Sequence, residues 1–224
     1  HDSLYAPQSK EDSDIFNRFQ LNGVHFVQTW RGCVYHMTCR GSRFADGAQR
    51  NPDGQVFMKN RETDEWLKQN QKATREFIRK WGHFVKHDEY LKPIIPPKYD
   101  IGFIIENPNL QLLEVLEPWC STVYCDECMI PGSTAAGRVV DYIEEEDTSF
   151  DLHDKFLSYD ADRENGILIN IDGRNFTQQD MNYIQQLSEI IADSGEEGSF
   201  QLGNLTITIN SLKTYEKELI ICES

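Results

Sequence analysis

No stretch of the chain approaches the ~20 consecutive apolar residues that a bilayer-crossing helix needs. Nor does a charged, apolar, small-residue succession open it as a secretory signal would. A membrane span is not expected, and the cytoplasm is the expected compartment. Cysteine is sparse at six residues. Cys120, Cys125 and Cys128 include one C-x-x-C, but a structural zinc site needs a second pair or a Cys/His partner at short spacing, and His153 stands alone. Cys33, Cys39 and Cys222 lie among apolar residues and read as reduced, buried thiols. Without a secretory signal the N-x-T triplets at Asn175 and Asn204 carry no weight. Internal repeats are also lacking.

Basic residues are scarce in one part only. Lys and Arg outnumber Asp and Glu 16 to 12 over residues 1–99, and are outnumbered 25 to 6 over residues 100–224. The net charge of −15 therefore sits in the back of the chain, where phosphate repulsion disfavours a nucleic-acid partner. A single core rarely sorts surface charge so sharply along a sequence, so two units are expected. The break falls at Lys92-Pro93-Ile94-Ile95-Pro96-Pro97, whose prolines favour an extended connector. This gives a front part, 1–97, and an acidic α/β part, 98–224. Hydrophobic residues at 39% and charged residues at 26% place both in the ordinary globular class.

In the front part, Ser9-Lys10-Glu11-Asp12 reads as a capped helix start, followed by apolar Ile15, Phe16, Phe19 and Leu21 and stopped by Gly23. Val24–Trp30 and Cys33–Met37 are β-like runs, and residues 40–61 form a long Gly-, Arg- and Asn-rich loop. An amphipathic helix is expected over 63–81, where Trp66, Ala73, Phe77 and Trp81 recur at helical spacing and Gly82 ends the pattern. In the back part, strand 101–105, helix 109–116 and strand 122–125 set a β-α-β rhythm of parallel strands. Acidic helices follow over 139–156, then a strand at 166–171 and a capped helix at 177–193. A hairpin turning at Gly203-Asn204 and a last strand at 218–222 complete a mixed sheet.

The densest polar cluster comprises His1, Asp2, Glu11, Asp12, Asp14 and, further on, His36. Glu11 and Asp12 open a helix, where unpaired N–H groups and the dipole stabilise a carboxylate. A carboxylate held on a rigid element can take the proton of an attacking hydroxyl. Simple N-terminal capping is the competing role for the same residues.

The order Glu11-Asp12-Ser13-Asp14-Ile15-Phe16-Asn17-Arg18-Phe19, then Gly23, a strand and Val34-Tyr35-His36, resembles the acceptor-side block of family 2 glycosyltransferases of the GT-A fold. His1-Asp2-Ser3-Leu4-Tyr5 resembles the segment preceding that block, and the resemblance covers about residues 1–100. It implies an α/β architecture: the C-terminal part of a GT-A-like domain, then a small α/β domain with a mixed sheet. It also implies an inverting transfer of a sugar from a nucleotide-sugar donor to a hydroxyl acceptor. Asp12 would be the base, with Glu11 orienting the acceptor and Arg18 bracing the pair. His36 would be a ligand of a divalent metal, Mn²⁺ or Mg²⁺, that bridges the donor diphosphate. Arg40 and Arg43 would close over the diphosphate, where guanidinium forks suit phosphate oxygens. Trp30 and Tyr35 would offer rings to a sugar, with core packing the alternative.

The chain departs from the family at its front. Neither nucleotide-binding strands nor an Asp-x-Asp in a suitable place precedes the block; Asp12-Ser13-Asp14 and Asp160-Ala161-Asp162 have the spelling in the wrong context. Together with a first residue other than Met, this leads us to expect a fragment, inactive without a donor-binding half. Two other readings stand beside it. One is a non-catalytic acidic α/β interaction domain that docks a basic partner. The other is a metal hydrolase built on His1, Asp2, Asp14 and His36.

Overall fold

Strand 101–106 is apolar on both faces until its last residue, the pattern of a strand covered by helices on either side, and it lies inside a six-stranded sheet. The computed structural model describes residues 2–5, 9–27, 29–32, 49–50, 56–57, 64–126 and 135–220. In chain order these form α1 (Glu11–Leu21), β1 (Gln49–Arg50), β2 (Val56–Phe57), α2 (Asp64–Trp81), β3 (Ile101–Glu106) and α3 (Leu110–Leu116). Then come β4 (Thr122–Tyr124), α4 (Ala135–Glu146), β5 (Phe156–Leu157), β6 (Ile167–Asp172), α5 (Gln178–Gln185), α6 (Leu187–Ser194), β7 (Gly198–Leu202) and β8 (Leu205–Ile209). The fold is α/β.

The sheet order is β5-β4-β3-β6-β8-β7. β3 to β6 run parallel, while β8 pairs antiparallel with both β6 and β7. The chain thus leaves β3 toward one edge and returns to pair β6 on its other side, a topological switch point. The final hairpin is held from outside the sheet. Asp180 completes a capping box with Thr177 at the start of α5 and also accepts the backbone N–H of Asn204 at 2.9 Å. Gly203 takes φ +61° at that turn, a conformation that a glycine adopts without strain.

Two apolar clusters are built on α2. Tyr5, Phe77 and Trp81 pack on one side, while Ile78 joins the large cluster of β3, β4, β6, β8 and their helices. Arg79 enters the same region with its charge. Its guanidinium bonds Glu117 and Glu146 at 2.6 Å and Glu76 at 3.0 Å, and the Tyr142 hydroxyl donates to Glu117 at 2.9 Å. Arg75 adds a bond to Glu146 and Lys155 one to Glu117, so three cations meet three carboxylates. Burial opposes the Glu117 charge, yet Lys155 and Arg79 hold its carboxyl down at about 2. The helix of the front part is therefore joined to 98–224 by buried charge as well as by Ile78.

Several local expectations change. Residues 24–27 are not a strand, and Trp30–Gly32 is a 3₁₀ turn; β-like composition needs a neighbouring strand, and here Val24 and Val27 face solvent. Glu216–Ile220 is likewise a 3₁₀ turn. The helical segment expected over 139–156 ends at Glu146, and the one over 177–193 breaks into α5 and α6 at Gln186 (φ −110°, ψ 5°). Ser9 does not cap α1: Ser9 and Lys10 both have positive φ, and no side chain bonds the helix start. The run Cys33–Met37 lies outside the described residues.

Candidate functional site

α1 buries the polar Asp14 and Asn17 and leaves the rings of Phe16 and Phe19 half-exposed. Asp14 is fully buried and is the hub: it meets Arg18 at 3.0 Å and Lys80 at 2.8 Å, and accepts the Trp81 indole N–H at 2.9 Å and the Tyr5 hydroxyl at 3.4 Å. Asp2 reinforces it, accepting from Lys80 at 2.7 Å and from the Leu4 backbone N–H at 3.0 Å. Tyr5 stays protonated because burial, then Asp14 and Asp2, push its hydroxyl far up. Burial raises the Asp2 carboxyl, and Lys80 with the Leu4 N–H outweighs it, so the group ends below its ordinary value. Five side chains thus nail α1 and the turn Ser3–Tyr5 to the end of α2.

The expected catalytic pair lies on the rim of this hub. Asp12 is exposed in the first turn of α1, and Glu11 is half-buried with Oε2 lacking a hydrogen-bond partner among the described residues. Arg18, expected to brace that pair, forms an ion pair with Asp14 on the same helix. Asp12, Phe16 and Phe19 share one face at helical spacing, and Phe16 and Phe19 are 47% and 46% exposed. Val24 and Val27 extend this face, and Phe26 stands edge-on to Phe16 at 5.4 Å. An amphipathic surface helix turns its apolar stripe to the core; α1 sends Leu21 there but leaves Phe16 and Phe19 in solvent. Trp30 has its backbone in the 3₁₀ turn, with its side chain beyond description, and His36, Arg40 and Arg43 lie outside the described residues.

Residues that sequence reasoning did not assign are Lys80, Trp81 and the Arg79 network. Their signal was the end of the amphipathic helix itself, where Lys80 and Trp81 turn toward Asp14 and Arg79 turns toward Glu117 and Glu146. Lys98 is a further one. Its ammonium donates to the carbonyls of Arg79 (2.8 Å) and Lys80, closing the C-terminus of α2. Burial, with Lys155 and Lys80 nearby, lowers it to about 8. It lines a cavity of about 340 Å³ with Cys120, whose thiol burial pushes up to about 12, so this sulfur is a packed neutral group and not a nucleophile.

At the switch point the strand ends are tied to each other. Asp172 accepts from Asn107 at 3.0 Å, from Asn175 at 2.6 Å and from the Arg174 backbone at 3.1 Å, and Glu106 accepts from Tyr159 at 2.9 Å. A larger cleft of about 1120 Å³ lies between α2 and the helices α3, α4 and α5. Among the described residues no three His, Cys, Asp or Glu side chains come together as a metal site, and no helix is long and apolar enough to cross a membrane. No family model matches the chain, and no curated protein or solved structure is significantly similar to it.

Proposed function

We propose that residues 1–97 are the acceptor-side corner of an inverting glycosyltransferase, working with a donor-binding half that supplies the nucleotide sugar. The observation that carries this reading is the contrast between Asp12 and Asp14. Asp14 is consumed by packing, whereas Asp12 stands in solvent on a helix anchored by five side chains. An acceptor hydroxyl hydrogen-bonded to Asp12 loses its proton to that carboxylate as its oxygen bonds the anomeric carbon and the nucleoside diphosphate leaves from the opposite face. Glu11, half-buried beside it, orients the acceptor. The outward apolar face of Phe16, Phe19 and Val27 supports a donor half seated against α1, since soluble proteins rarely leave such a face open.

The divalent ion that the resemblance implies would have His36 as a ligand. No step is routed through it, because the described residues bring no ligand set together. A second reading, an acidic interaction domain for a basic partner, is favoured by the 25-to-6 excess of acidic residues over 100–224.

The test is sugar transfer by the enzyme carrying its donor half. Asp12→Asn is expected to cost ~10²–10⁴ in turnover with unchanged melting. An Asp12→Asn enzyme within a few-fold of the parent sinks the assignment. The 224-residue chain alone is expected to bind UDP- and GDP-sugars with Mn²⁺ no tighter than millimolar by calorimetry.

A further inference from the structure

The cleft beside α2 is a built site of mixed chemistry. Its floor is apolar, with Ile78, Met181 and the ring of Trp119, and Leu67 and Val115 stand on its lips. Phe84 closes one end. Its ring is 38% exposed and stands edge-to-face on Trp119, with centroids at 4.9 Å and planes at 82°, so the aromatic surface left open is held in one orientation. Along α2 the lining runs from Leu67 to Ile78, about 16 Å at the helical rise, which suits a short chain better than one ring. The volume of about 1120 Å³ lies just above the usual range of ligand clefts.

Charge narrows the choice of ligand. Lys68 and Lys72 line the cleft from α2, and Glu114 and Glu145 line it from α3 and α4. A uniformly anionic or cationic chain would meet repulsion from one side or the other, which disfavours nucleic acid, anionic lipid and basic peptide alike. Between these charges lie the amides of Gln71 and Gln185 and the hydroxyl of Thr74. Such neutral donors and acceptors beside an apolar floor match a neutral chain with both hydroxyls and C–H faces. Burial also raises the Glu114 carboxyl above its ordinary value, outweighing Arg75, so a hydroxyl donated to it would relieve lost hydration.

We propose that this cleft binds a neutral oligosaccharide, with a sugar ring on Phe84 and hydroxyls on Gln71, Gln185 and Glu114. In naming a saccharide instead of another neutral hydroxylated chain, the inference rests on the proposed sugar transfer; binding itself needs nothing of Asp12. The cleft would hold part of the acceptor away from the reacting hydroxyl.

The 224-residue protein is titrated with neutral oligosaccharides of two to six residues built from glucose, mannose or N-acetylglucosamine, while backbone amide shifts are recorded. Saturable millimolar or tighter binding is expected with at least one, its shifts centred on Gln71, Phe84, Val115 and Gln185. Phe84→Ala is expected to weaken it at least 10-fold. Because loss of Phe84 also loosens Trp119, the exposed Gln71→Lys serves as a second variant and is expected to weaken binding without lowering the melting temperature. A failed base assignment leaves this binding and its loss in the cleft variants in place, whereas a failed cleft assignment leaves the Asp12→Asn rate loss in place, so the two failures give different results. Absence of saturable shifts in the cleft with every saccharide, binding untouched by both cleft variants, or tighter occupancy by an amphipathic peptide control would overturn the proposal.

Discussion

The guanidinium of Arg79 meets the carboxylate of Glu117 at 2.6 Å, with the two side chains 1% and 0% exposed. Such a pair is costly to break, because removing one partner leaves the other charged and buried. Arg79→Met is expected to destabilise the protein by roughly 3–5 kcal/mol in denaturant melts, with Arg79→Met/Glu117→Gln recovering part of the loss. A single-variant cost below ~1 kcal/mol would show the network to be solvated.

The same network governs residues 98–224 on their own. Expressed alone they keep every strand of the six-stranded sheet but lose Arg75 and Arg79, leaving Glu117 and Glu146 with Lys155 as their remaining cation of the network. This piece is expected to fold, to gain stability with ionic strength as its acidic surface is screened, and to be less stable than the same part of the full chain. Amide exchange and thermal melting check it; a chain unprotected at every salt concentration would show that the front part is indispensable.

His83 is buried against Phe77 and Trp81, its Nδ1 donating to the Phe84 carbonyl at 2.6 Å while Nε2 lacks a partner among the described residues. Burial holds the imidazole at about 4, below its ordinary 6.5, with Lys86 and Lys98 pushing the same way and Glu189 opposing. The unfolded chain therefore takes up this proton first as the pH falls. The contribution of neutral His83 is complete above pH 6.5 and is lost as the pH drops toward 4, by about 3 kcal/mol. His83→Gln, which does not titrate, is expected to flatten the difference between stabilities at pH 7 and pH 4.5; an unchanged slope would place the acid sensitivity elsewhere.

The outer face of α1 makes a solution prediction. Phe16→Ser/Phe19→Ser removes two half-exposed rings, so the loss of stability is expected to stay near 2–3 kcal/mol while binding of an apolar dye and self-association both fall. Dye fluorescence unchanged by the double substitution would mean that the face is already covered.

Much of the back part was legible because its elements are locally consistent. The apolar run of Ile101–Glu106, the Asn109 cap whose side chain accepts the Leu112 N–H, and the Gly203-Asn204 turn each have one low-energy conformation whatever surrounds them. The run 24–27 failed for the opposite reason. Val24 and Val27 have strand propensity, but a strand exists only with a partner to hydrogen-bond, and none among the described residues pairs with them.

At the site, spelling named Glu11, Asp12 and Arg18 but did not show that Asp14 is the acid buried against α2. Spacing alone decided that an amphipathic helix would run to Trp81. Which acid meets which cation depends on the helix's rotation against its neighbours. α2 turns Lys80 and Trp81 toward Asp14 and turns Arg79 toward Glu117 and Glu146, residues 38 and 67 positions away along the chain. Local propensity fixes elements over a few residues; pairing of buried charge is settled by the global packing that makes one arrangement lose water and another keep it.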